Sequence, residues 1–116
     1  MAEAALFMGW KEPARGREKA ALEVFNEGLQ YWGRLQQEGQ IESFDVAILM
    51  PHGGLRGFML LRGTAQQIDS LRRSKEFLTL VDRVILNVDQ VEISDAWVDE
   101  GLAEVMGEYQ DEVGKL

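Results

Sequence analysis

The sequence predicts a small α+β domain with the element order strand–helix–strand–strand–helix–strand and one further helix at the C-terminus. Apolar residues recur at three- and four-residue steps over about residues 17–37, and short apolar runs rich in β-branched residues lie on both sides of that segment. Glycine or proline separates most of these runs. At 116 residues, the chain has the length of a single domain covering residues 1–116, with enough interior for a core.

The first two elements are a strand and a long helix. The apolar run at residues 5–10 predicts the strand, and Pro13 and Gly16 mark the turn that follows. A helix is expected over about residues 17–37, with Gly39 as its C-terminal stop. Its expected apolar stripe consists of Ala21, Leu22, Phe25, Leu29, Trp32 and Leu35.

A hairpin and a broken helix are predicted next. Residues 41–50 and 57–62 have strand composition, and the loop Pro51-His52-Gly53-Gly54 between them favours antiparallel pairing. Thr64 with Gln67 fits a capping box, so a helix is expected to begin at Ala65. Ser74 is a second candidate cap, which predicts two short helices with a kink near residues 73–74.

The last part of the chain is interpreted as a strand and a helix. Residues 84–98 have strand chemistry throughout, but this is long for one strand, so residues 87–90 are expected to hold a bulge, a bend or a lead-in segment. A helix over about residues 101–114 carries Leu102, Val105, Tyr109 and Val113 on one face. The complete order, with a hairpin at its centre, is the ferredoxin-like βαββαβ arrangement with a four-stranded antiparallel sheet.

Strand alternation predicts which face of the sheet the helices cover. Right-handed crossovers place both helices on one face. The bulky apolar set is expected under them: Phe44, Val46, Ile48, Met50, Val91, Ile93 and Trp97. The opposite set is expected on an open face: Ser43, Asp45, Ala47, Leu49, Glu92, Ser94 and Ala96, with apolar area added by Phe7, Met59 and Leu61. An open face with apolar side chains favours a partner, so we expect a homodimer paired sheet to sheet, with a polar-lined space for a small ligand.

Composition and charge exclude or disfavour several classes of function. The chain has no cysteine, which excludes disulfides, thiolate nucleophiles and cysteine-ligated metal centres. Its net charge of −8 disfavours binding to nucleic acids and to anionic membranes. The N-terminus lacks a basic region, and the chain has no apolar run of ~18 residues, so neither a signal peptide nor a membrane span is expected and the expected location is the cytoplasm.

The chain resembles the dimeric α+β barrel superfamily and, within it, a group of small uncharacterised bacterial proteins. The resemblance rests on four segments: Glu23-Val24-Phe25-Asn26-Glu27-Gly28-Leu29, Pro51-His52-Gly53-Gly54, Leu71-Arg72-Arg73-Ser74-Lys75-Glu76-Phe77, and Glu100-Gly101-Leu102-Ala103-Glu104-Val105-Met106 followed by Tyr109. It implies ferredoxin-like domains that pair sheet to sheet. The superfamily includes cofactor-independent monooxygenases, haem enzymes, degradation enzymes and stress-linked proteins. The fold alone therefore does not identify the function.

His52 and Asp45 are the candidate catalytic residues. His52 is the only histidine and lies in a loop at the mouth of the predicted barrel, where it is a candidate proton-transfer group; the alternative is a loop residue bonded to backbone. Asp45 lies in the middle of a strand on the predicted open face, where it is a candidate base or the partner of an arginine. Candidate ligand-pocket residues are Trp10, Ser43, Arg62, Glu92 and Ser94. Neither a metal site nor a cofactor is predicted, since one histidine without suitably spaced carboxylates is a poor ligand set.

Three functions remain open at this point. The first is a homodimer that binds a small molecule between the sheet face and its partner. The second is a cofactor-independent oxygenase, isomerase or degradation-type enzyme with His52 or Asp45 as its base. The third is a protein-interaction module that docks through the acidic C-terminal helix. From residue 99 onward Lys115 is the only basic residue, and the acidic residues are Asp99, Glu100, Glu104, Glu108, Asp111 and Glu112.

Overall fold

The computed structural model of the chain describes residues 2–116 and contains ten regular elements over that range. The strands are β1 (Ala4–Trp10), β2 (Glu12–Pro13), β3 (Ser43–Ile48), β4 (Gly57–Gly63), β5 (Val88–Asp89) and β6 (Glu92–Trp97). The helices are α1 (Glu18–Gln37), α2 (Ala65–Arg73), α3 (Lys75–Asn87) and α4 (Asp99–Gly114). Apart from the two short strands, this is the predicted order, with the broken helix present as α2 and α3.

The main sheet has four strands in the order β3-β4-β1-β6, and every neighbouring pair is antiparallel. Leu6 of β1 lies opposite Leu61 of β4, and Phe44 of β3 also lies opposite Leu61. The predicted α+β fold with a four-stranded antiparallel sheet is confirmed, and one chain by itself does not close a barrel. The short strands β2 and β5 form a separate two-stranded sheet, in which Glu12 pairs with Asp89.

The core lies between one face of this sheet and the helices. Its largest fully buried side chains are Trp32, Leu6, Leu35, Ile41 and Leu61. Helix α3 adds Phe77, Leu80 and Val81 to the same cluster. Burial of such side chains removes apolar surface from water, which is the main favourable term in folding.

Both predicted helix caps are present. The amide of Gln67 donates to Thr64 Oγ1 at 3.1 Å, and the amide of Thr64 donates to Gln67 Oε1 at 2.8 Å, which completes the capping box. The amide of Phe77 donates to Ser74 Oγ at 3.2 Å, so Ser74 begins α3 directly after α2 ends. Two side chains therefore define the break between the helices.

The prediction of strand structure from residue 84 was wrong for residues 84–87. Helix α3 continues to Asn87, because Leu80 and Val84 are one turn apart and both face inward. The Asn87 side chain donates to the carbonyl of Arg83 at 2.8 Å and accepts from Arg17 Nη1 at 3.2 Å, which holds the end of the helix. A run of β-branched residues does not by itself distinguish a strand from the end of a buried helix.

Side chains alternate between the two faces of the sheet as predicted, with two corrections. Met59 and Leu61 lie in the core and not on the open face, since they share the face of Leu6 and Met8. Val46, Ile48, Met50 and Trp97 are exposed, although Val46, Ile48 and Trp97 have the predicted parity. They lie on or beside the two edge strands, where the helices no longer cover them. Leu22 of α1 is likewise 61% exposed, so it lies outside the buried part of the stripe.

Candidate functional site

His52 lies exposed in the loop between β3 and β4 and bonds to that loop. Its Nδ1 is 3.0 Å from the carbonyl oxygen of Met50. The ring also lies over Gly54, where an added Cβ would be only 2.9 Å from His52 Nε2. These contacts match the interpretation of His52 as a loop residue bonded to backbone, while its catalytic role stays a prediction.

Asp45 is paired with an arginine, which was the alternative to its role as a base. Its Oδ2 accepts from Arg62 Nε at 3.1 Å, and the same guanidinium lies 3.5 Å from Asp99 Oδ1. The Asp45 side chain is 61% exposed, so solvent screens the charge and the pair needs no functional explanation.

The remaining predicted polar residues lie on the open face but are spread across it. Ser43 is directly opposite Arg62, which brings these two residues together with Asp45. Glu92 and Ser94 are on the far edge strand, opposite Gly9 and Phe7 of β1. Strand β1 thus lies between the two groups. Ser94 Oγ donates to the carbonyl of the neighbouring Asp95 at 3.0 Å.

A cavity of about 450 Å³ lies on the other side of the sheet, between the sheet and helices α1 and α3. Trp10, a predicted pocket residue, lines it. The lining consists of Met8, Gly9, Trp10, Pro13, Glu18, Ala21, Leu22, Val24, Phe25, Gly28, Trp32, Ile48, Met59, Leu80, Val84, Val88 and Val91. Leu22 and Ile48 are 61% and 60% exposed, so they mark the opening to solvent.

The wall of this cavity is apolar and aromatic. Trp10 and Phe25 meet edge to face with ring centroids 5.8 Å apart. The indole N–H of Trp32 donates to the sulfur of Met59 at 2.9 Å, and a thioether sulfur is only a weak acceptor. Glu18 is the one lining residue with a charged side chain, and it is exposed. The cavity can therefore hold an apolar molecule, and its lining contains no acid–base pair.

Gly28 keeps part of the cavity open. It is buried in the middle of α1, where glycine costs roughly 1 kcal/mol of helix stability relative to alanine. A Cβ at this position would meet Trp32 Nε1 at 3.6 Å and Met59 Cε at 4.0 Å, which are ordinary contacts. Sterics therefore do not require glycine here, and what its missing side chain provides is space beside Trp32.

Sequence reasoning missed this cavity, although one signal for it was present. An apolar helix stripe that contains a buried glycine next to large aromatic residues indicates a gap in the packing. Whether the gap closes depends on side chains from the sheet and from α3, which lie far away in the sequence. Among the described residues, no group of three or more His, Cys, Asp or Glu side chains is placed to hold a metal ion. No helix within residues 2–116 is both long and apolar enough to cross a bilayer.

No family model and no curated protein sequence matches this chain, whereas several solved structures do. A dimeric protein of unknown function and ferredoxin-like fold from Bacteroides fragilis aligns with a TM-score of 0.63 at 11% identity, covering 84% of this chain and 98% of its own. The protein described here has the ferredoxin-like fold. That result agrees with its resemblance to the dimeric α+β barrel superfamily.

Two enzymes share the same fold with this chain. A hydroxynitrile lyase from Passiflora edulis aligns with a TM-score of 0.66 at 9% identity, covering 85% of this chain and 95% of its own. The cofactor-independent oxygenase SnoaB from Streptomyces nogalater aligns with a TM-score of 0.55 at 11% identity, covering 85% and 96%. At these identities the likeness concerns the fold alone, because one fold supports many functions.

Proposed function

We propose that this protein binds a small, largely apolar molecule in the cavity between the sheet and helices α1 and α3. The observation that carries the proposal is the cavity itself, which is about 450 Å³ and lined almost entirely by apolar and aromatic side chains. Ligand sites typically occupy ~300–1,000 Å³ and are lined in this way. The proposed site lies on the opposite side of the sheet from the space expected between two sheets, and it keeps Trp10 as a wall residue.

The opening of the cavity supports entry of a ligand from solvent. Leu22 and Ile48 are exposed at its edge, and the two-stranded sheet borders it through Pro13 and Val88. The net charge of −8 disfavours anionic ligands at long range. A neutral or cationic apolar molecule therefore fits better than an anion.

Binding is tested with the neutral fluorescent probe N-phenyl-1-naphthylamine. We expect saturable binding to the wild-type protein, with energy transfer from tryptophan, because Trp10 and Trp32 line the cavity. Gly28→Leu places a side chain in the space beside Trp32 and should weaken binding by about tenfold or more, equivalent to about 1.4 kcal/mol. Gly33→Leu is the matched control, since Gly33 is on the same helix with open space around it.

Two results would refute the proposal. The first is the absence of saturable probe binding to the wild-type protein. The second is equal binding by wild type, Gly28→Leu and Gly33→Leu, which would place the probe elsewhere. Circular dichroism of each variant confirms that the comparison is made between folded proteins.

We also propose that the protein is a homodimer paired through the open face of its sheet. Phe7 and Phe58 stack on that face with ring centroids 5.7 Å apart, and Leu60 lies opposite Phe7. The similar protein from Bacteroides fragilis is described as dimeric. Light scattering after size exclusion tests the proposal, and a monomer at all accessible concentrations would contradict it.

Catalysis is a second candidate, supported by the hydroxynitrile lyase and the oxygenase that share the fold. His52 and Asp45 remain the proposed bases for it, with Ser43, Arg62, Glu92 and Ser94 as proposed contacts for a ligand on the open face. His52 does not line the cavity described above. His52→Ala should therefore leave probe binding unchanged, while a loss of turnover on an identified substrate would assign it a catalytic role.

A further inference from the structure

Helix α4 carries an uncovered apolar stripe. Its members are spaced at i, i+3, i+4, i+7 and i+11, and they are Leu102, Val105, Met106, Tyr109 and Val113. Four of them are exposed: Leu102 by 48%, Met106 by 43%, Tyr109 by 63% and Val113 by 49%. Only Gly101 of this helix is buried. Since short helices depend on packing of their apolar face for stability, an uncovered stripe of this length calls for a partner surface.

The first turn of α4 is anchored beside the open sheet face. Asp99 lies 3.5 Å from Arg62, whose side chain belongs to that face. Gly101 packs on the backbone of Glu3 so closely that a Cβ would lie 1.9 Å from the Glu3 carbonyl oxygen. The start of the helix is therefore fixed against the sheet, whereas every residue of the helix from 108 onward is exposed.

The shape of the chain agrees with a projecting helix. The radius of gyration is 15.9 Å and the longest dimension is 53 Å, whereas a compact domain of this length has a radius of gyration of about 13 Å. The 16 residues of α4 span about 24 Å. A helix of that length can reach across the face of a second molecule.

We infer that α4 packs with its apolar stripe on a second copy of this chain, as part of the same interface as the open sheet face. This inference rests on the proposed homodimer. The stripe and the apolar group of the open face (Phe7, Phe58 and Leu60) begin on the same side of the molecule, so one two-fold axis can cover both in each copy. A standard interface buries ~800 Å² per partner and has an apolar core with a polar rim, and the stripe together with the open-face group would form that core.

The acidic residues of α4 are compatible with this arrangement. Glu100, Glu104, Glu108 and Asp111 lie on the side of the helix opposite the stripe, by the 3.6-residue period. They stay in water when the stripe is covered. We therefore assign docking to the apolar stripe, and docking through the acidic face stays the alternative prediction.

Tyr109→Lys tests the inference, with Ala103→Lys as the matched control. Both add one positive charge to an exposed position of α4, but only Tyr109 belongs to the stripe. We expect the wild type to have twice the 13.1 kDa mass of the chain. Tyr109→Lys should raise the dimer dissociation constant by roughly 100-fold, as truncation of a buried aromatic anchor does, and Ala103→Lys should leave it near the wild-type value.

Sedimentation equilibrium separates the outcomes. A wild-type dimer that both variants retain with equal affinity would overturn the role of α4 and leave the homodimer standing. A wild type that is monomeric at every concentration would overturn both. Because the chain has no native cysteine, a spin label on Val113→Cys adds a second readout. If the label is equally mobile in the dilute monomer and in the concentrated dimer, that result also contradicts the inference.

Discussion

Replacement of Gly28 by alanine separates stability from ligand binding most directly. Alanine in place of glycine within a helix contributes about 1 kcal/mol. The new methyl group makes only ordinary contacts, the nearest being Trp32 Nε1 at 3.6 Å. No steric penalty therefore offsets the gain in helix stability. For a domain of this size, we expect a rise in Tm of about 4 °C.

The control is Gly33→Ala on the same helix, where the added methyl group meets nothing within 4 Å. Its free energy of unfolding should rise by a similar ~1 kcal/mol, since the helix propensity term is the same. The two variants should differ in binding of N-phenyl-1-naphthylamine, because only the methyl group at Gly28 enters the cavity. The assay is urea unfolding, followed by probe titration of each folded variant.

Two results would refute this reasoning. A destabilised Gly28→Ala variant would mean that the space beside Trp32 does not accommodate a methyl group. A stabilised variant with unchanged probe affinity would mean that this space is a packing gap with no part in binding. Stabilisation with weaker binding is the expected pattern for a glycine that maintains a site at the expense of stability.

Three further predictions concern the fold. Leu6→Ala should lower the free energy of unfolding by about 3 kcal/mol, because Leu6 is fully buried. Leu86→Ala is the control, since Leu86 is 64% exposed and its replacement should cost well under 1 kcal/mol. Urea unfolding measures both variants. Thr64→Ala removes the cap of α2 and should cost about 1 kcal/mol in the same assay, while an unchanged midpoint would show that the capping box is dispensable. Burial raises the pKa of Tyr31 above its ordinary value of 10.0, so the folded state favours the protonated phenol. Stability should therefore fall as the pH rises through about 10, and less steeply in Tyr31→Phe; equal alkaline losses in both proteins would contradict this cause.

Local patterns in the sequence were enough for most of the elements. The stripe through Trp32 and Leu35 predicted α1, and Thr64 and Ser74 predicted where α2 and α3 begin. These features depend on residues within one or two turns of each other. Residues 84–87 were assigned wrongly because their β-branched composition suits a strand as well as a buried helix end, and only packing distinguishes the two.

The candidate site shows the limit of the same approach. Trp10 was predicted as a wall of a pocket on the open face, whereas it lines a cavity on the other side of the sheet that was not predicted. The pairing of Asp45 with an arginine was an open alternative until the register of β3 and β4 placed Arg62 Nε 3.1 Å from Asp45 Oδ2. Both outcomes depend on residues that are distant in sequence.

The sequence by itself determined the order of the elements, the two helix caps, the absence of cysteine chemistry and the apolar stripe of α4, since each of these is a property of neighbouring residues. The tertiary structure decided which apolar side chains are buried. It placed Met59 and Leu61 under the helices and left Val46 and Trp97 exposed at the sheet edges. It also decided where space remains, because a cavity beside Gly28 exists only when the sheet and two helices meet without filling the volume between them.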